Sequence, residues 1–164
     1  DCISEKILSV FIDESGDFGP YEIHAPYYLV SMILHNQNID ITENIKVFDA
    51  HLSNLGYQHH ALHTGPLIRP ESVYSNDLVE ERKRLFNALF NFARRLDFQY
   101  SCIKVKKSEC PDVITMTSKV SKALADVLRS NEGFWNSFDK VIIYYDNGYP
   151  NFFKIQIFGF CRTN

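Results

Sequence analysis

The sequence predicts an α/β fold. Three observations point to it: two strongly apolar strand-like runs that each end in an aspartate, long amphipathic helical patterns between them, and a length suited to a single core. The chain has 164 residues, of which 45% are hydrophobic and 23% charged, enough apolar surface to bury one sizeable core. No internal repeat, low-complexity stretch or linker interrupts it, so one domain over residues 1–164 is expected.

The elements follow in order. Lys6 to Asp13 (Lys-Ile-Leu-Ser-Val-Phe-Ile-Asp) is apolar on both alternating faces near its end, the pattern of a central strand covered on both sides. Ser15-Gly16-Asp17 turns the chain, and Tyr27 to His35 reads as a second strand that the short connection allows to run antiparallel to the first. Ile41, Ile45, Phe48 and Leu52 recur at helical spacing between Asp40 and Leu55, with Gly56 as the stop. The His-rich stretch from His59 to Pro66 holds no period and reads as a strand end or loop. Leu78 to Leu96 is a long amphipathic helix, with Leu85, Leu89 and Phe92 on one face and Glu80 to Arg84 charged. A strand from Asp97 to Val105, a helix from Asp112 to Arg129 and a strand from Lys140 to Asp146 complete the pattern. In the apolar tail, Phe153, Ile155 and Ile157 alternate against Phe152, Phe158 and Phe160, which predicts weak sheet-edge pairing and a poorly packed end.

A formal net charge of −3 argues against strong non-specific binding to nucleic acid through net charge, while leaving room for a local basic face. Cys2, Cys102, Cys110 and Cys161 form no Cys-x-x-Cys pair, so reduced thiols and a cytoplasmic location are expected. No apolar run reaches the roughly 20 residues of a membrane span, so no membrane partner is expected, and the first residues lack the features of a signal peptide. The sequence leaves the oligomeric state open.

Asp13 and Asp146 carry the chemistry. Each closes an apolar strand and is followed by a glycine-containing turn, Asp13-Glu14-Ser15-Gly16 and Asp146-Asn147-Gly148. Functional groups in α/β sheets gather beyond the carboxyl ends of parallel strands. Parallel neighbours lie about 4.8 Å apart, close enough for two carboxylates to share a divalent cation. The cation relieves the repulsion of the pair, and Mg2+, or Mn2+ in its place, activates water and stabilises the leaving oxygen in phosphodiester cleavage. The competing reading is that both aspartates only accept hydrogen bonds from the amides that follow them.

Glu14 is expected to leave the strand on the side opposite Asp13, unless the turn rotates it back, and is an auxiliary carboxylate, and Asp17 is either an outer acid near substrate or a solvated loop residue. His51, His59, His60 and His63 lack the paired spacing of a zinc site. His63, ahead of Thr64-Gly65-Pro66 and Arg69, has the chemistry of a proton shuttle, and Arg69 that of a phosphate contact. A surface histidine explains His63 as well. Lys104 and Lys106 share a strand face suited to a phosphate backbone, or to the protection of a sheet edge. The aromatic residues read as core.

The run Val10-Phe11-Ile12-Asp13-Glu14-Ser15-Gly16-Asp17 resembles the opening of the domain of unknown function 3800 family, whose members are similar to ribonuclease H-like nucleases and integrases. His63-Thr64-Gly65-Pro66-Leu67-Ile68-Arg69 and Tyr144-Tyr145-Asp146-Asn147-Gly148 are similar in order and spacing, so the resemblance extends over most of the chain. It implies a ribonuclease H-like mixed sheet flanked by helices and an acidic metal site in which Asp13 and Asp146 are the first-strand and later-strand carboxylates.

Two departures qualify the site. The family often has a glutamate two residues before the middle-motif histidine, where this chain has Ala61. The family also continues into helices bearing another acid, whereas no Asp or Glu follows Asp146, so the family's C-terminal part is expected to be lacking. The leading expectation is a magnesium-dependent nuclease-like hydrolase acting on nucleic acid, with Asp13, Asp146, Glu14 and His63 in the chemistry and Arg69 and Asp17 near substrate. The alternative is a catalytically silent interaction domain of the same fold. A haloacid-dehalogenase-like phosphatase ranks last, because Ser15 stands where its second aspartate belongs.

Overall fold

The computed structural model describes residues 5–16, 19–58 and 60–145, together with the backbone of a strand at 153–158. Its contacts divide the chain into two compact units, one drawn from residues 1–39 and 98–164, the other from residues 40–97.

The first unit is built on a five-stranded mixed sheet. Its strands are β1 (Ile7–Ser15), β2 (Tyr27–Asn36), β3 (Gln99–Lys106), β4 (Lys140–Tyr145) and β5 (Phe153–Phe158), in the order β3-β2-β1-β4-β5. β1 runs antiparallel to β2 and parallel to β4; β2–β3 and β4–β5 are antiparallel. The α/β class with a mixed sheet and flanking helices is thus present. β1 continues two residues past Asp13, because Glu14 and Ser15 still pair with Val30 and Leu29. Gly16 then turns the chain at φ +94°, where a Cβ would lie 2.8 Å from the Tyr27 carbonyl oxygen. Only glycine meets both demands.

Strand alternation sorts the sheet into two faces. Leu8 and Val10 of β1, Val30, Met32 and Leu34 of β2, Ile103 and Val105 of β3 and Val141 of β4 are all buried on one face. They pack against Met116, Val120, Ala123, Leu124 and Val127, the helical stripe of α4 (Val113–Ser130). Asp112 caps α4: its Oδ1 accepts the Thr115 amide at 2.6 Å, and this hydrogen bond holds its carboxyl below the ordinary range. Trp135 of the short α5 (Glu132–Trp135), with Phe134 and Phe138, closes the same core.

The second unit packs α1 (Thr42–Asn54) against α3 (Val79–Ala93), with Phe48 stacked on Phe92 at 4.6 Å between ring centroids. Gly56, at φ +84°, ends the α1 segment as its sequence predicts. Leu52, Leu67, Tyr74 and Leu85 form the buried centre. The stretch read as a strand end or loop contains instead a short helix, α2 (Thr64–Ile68). Pro66 sits in its first turn, where a missing amide hydrogen costs nothing, and Leu67 anchors it in the core. The tail pairs at the sheet edge, as its alternation allows: Phe153–Phe158 runs antiparallel to β4, while the packing of its side chains lies outside the described residues.

Candidate strand-end carboxylate site

The parallel register of β1 and β4 runs from Ile7 beside Lys140 to Ile12 beside Tyr145. Asp13 is the next residue of β1, and Asp146 follows Tyr145 in the sequence. Asp146 and Asp17, like His59, lie outside the described residues. Asp13 is exposed, and its Oδ1 accepts the Glu14 amide at 2.9 Å. This is the bond that the turn-capping reading requires, and it also fixes the orientation of the carboxylate.

Glu14 alternates onto the core-side face, opposite Asp13. There its Oε1 accepts the Tyr145 hydroxyl at 2.6 Å. The hydrogen bond to Glu14, then burial and the negative charges of Glu14 and Asp13, push the Tyr145 phenol up to about 12. Tyr28, 1% exposed, is raised further, by burial first and then by the hydrogen bond and charge of Glu14. Tyr145 therefore holds Glu14 from the core side. Sequence reading took both tyrosines as apolar strand positions. The signal that finds them is a tyrosine at each of two strand ends, on the core-facing register, where a hydroxyl needs a polar partner.

His63 and Arg69 belong to the second unit. His63 is exposed at the N-terminal edge of α2, and its carbonyl accepts the Leu67 amide. Arg69 donates from Nε to Glu71 Oε1 at 2.9 Å, and this pairing raises its pKa. His60 is committed to structure: its Nε2 lies 2.7 Å from the hydroxyl of buried Tyr74, in a ring cluster with Tyr57, whose own hydroxyl donates to Asp77.

Carboxylate oxygens exposed at a strand end are hard donors suited to Mg2+, which takes one or two carboxylates and keeps several waters. Among the described residues no group of three His, Cys, Asp or Glu side chains converges on one metal position. Cys102 and Cys110 carry free thiols, and among the described residues no helix is long and apolar enough to cross a membrane. Comparison of the chain with protein-family models, with curated proteins and with solved structures finds no match in any of the three.

Proposed function

We propose that the chain is a ribonuclease H-like, magnesium-dependent phosphodiesterase acting on nucleic acid, related to the domain of unknown function 3800 family that its motifs resemble. The observation that carries this reading is the parallel register of β1 and β4, whose last pair is Ile12 beside Tyr145, with Asp13 and Asp146 the next residues of the sequence. Asp13 and Asp146 hold the cation, which supplies an activated water and charge neutralisation at the phosphate. Glu14, held by Tyr145, acts from the other face as an auxiliary carboxylate. For His63, Arg69 and Asp17, the proton-transfer, phosphate and substrate roles rest on the sequence motifs alone. The free thiols favour a reducing, cytoplasmic setting.

The test is cleavage of single- and double-stranded DNA and RNA with Mg2+ or Mn2+, and with chelator. We expect metal-dependent cleavage that falls by at least about 100-fold in Asp13→Asn, roughly 3 kcal/mol of transition-state stabilisation. Equal activity in the variant, or none in the wild type, sinks the nuclease reading, and the latter leaves the silent interaction domain.

A further inference from the structure

On the sheet face that carries Asp13, Ser9 and Ile142 are buried, and the rows beyond them toward Asp13 hold exposed side chains. One row of registered residues crosses four strands on it: Tyr100 opposite Ile33, Ile33 opposite Phe11, and Phe11 beside Tyr144. Tyr100 is 77% exposed, Phe11 45% and Ile33 44%. The Phe11 and Tyr144 rings stack with centroids 4.9 Å apart and planes within 13°.

The next row on the same face holds Asp13, Ser31 and Cys102, and the one after it Ser15, Leu29 and Lys104. Lys106 follows opposite Tyr27, and the Lys104 ammonium sits 3.8 Å from the centroid of the Tyr27 ring. Successive rows are about 6.7 Å apart, two strand residues. The face therefore presents aromatic planes, a carboxylate and two cations in consecutive rows.

We propose that this face is a binding platform for single-stranded nucleic acid, with bases on Tyr100 and Phe11 and backbone phosphates on Lys104 and Lys106. The inference rests on the nucleic-acid reading above and narrows it to strands whose bases are unpaired. Three features favour this occupant. Flat exposed rings offer a stacking surface to any base, a contact that a duplex with its bases paired inside cannot make. Lysines confined to one end of the face complement phosphate charge in a chain whose net charge is −3. Asp13, in the row between rings and lysines, puts the proposed metal carboxylate where the backbone would cross.

The experiment is fluorescence anisotropy with short labelled oligo(dT), oligo(U) and a hairpin duplex, in EDTA so that binding is read apart from cleavage. The wild type is expected to bind both single strands at least about tenfold more tightly than the duplex. Tyr100→Ala and Phe11→Leu, the latter keeping apolar bulk in the sheet, each weaken single-strand binding by about fivefold or more. Lys104→Gln flattens the slope of log K against log salt by about 0.7, one phosphate contact on a single strand.

Absence of single-strand binding, equal binding of the duplex, or indifference to both ring substitutions in variants that melt like the wild type overturns the platform. Base-dependent binding without metal-dependent cleavage supports the platform and removes the nuclease reading. Cleavage without sensitivity to Tyr100 and Phe11 does the reverse.

Discussion

Tyr145 shows how one hydroxyl organises the end of the sheet. The Glu14 carboxylate holds its proton in place, so the folded-state pKa of about 12 lies above the ordinary phenol value of 10. A group raised on folding contributes stability that is fully present below pH 10 and is lost as pH rises toward 12. Tyr145→Phe removes that contribution, so the melting-temperature gap between wild type and variant should be constant from pH 7 to 9 and close between pH 10 and 12. Thermal melts across that range check it; a gap that stays open through pH 12 contradicts the hydrogen bond. The opposite facing of Asp13 and Glu14 was legible from strand alternation alone. The hydrogen bond from Tyr145 to Glu14 was not, because it depends on β4 meeting β1 in a particular register, which the residues of β1 do not encode.

The elements divide along a similar line. β1, β2, β3, α1, α3, α4 and β4 were legible because each carries a sustained period in its own residues. α2 was not: five residues with a central proline have no period, and what makes them helical is the burial of Leu67 by α3 and its surroundings. β5 pairs along the open edge of β4, the place that its imperfect alternation allowed. Deleting residues 151–164 removes the whole β4–β5 ladder and leaves β4 as an edge. We expect the melting temperature to fall by more than about 5 °C, near 1–2 kcal/mol for a domain of this size, with increased self-association. A shift below 2 °C would show that β5 adds nothing to the sheet.

At the scale of the molecule, charge and composition set only broad bounds, while the sheet order gives them meaning. A net charge of −3 says nothing of where Lys104 and Lys106 stand, and an aromatic content of 14% reads as core until the register shows Tyr100 and Phe11 on an exposed face. That two apolar strands run into aspartates was legible in the sequence; that those strands are parallel neighbours is a property of the assembled sheet. The most direct measurement of the central claim is calorimetric titration of the full chain with Mn2+ and Mg2+. The account predicts saturable binding of one ion in the wild type, weakened at least about tenfold in Asp13→Asn and in Asp146→Asn alike, because each removes one of two shared carboxylates. Saturable binding that survives both substitutions, or no binding to the wild type, would contradict it.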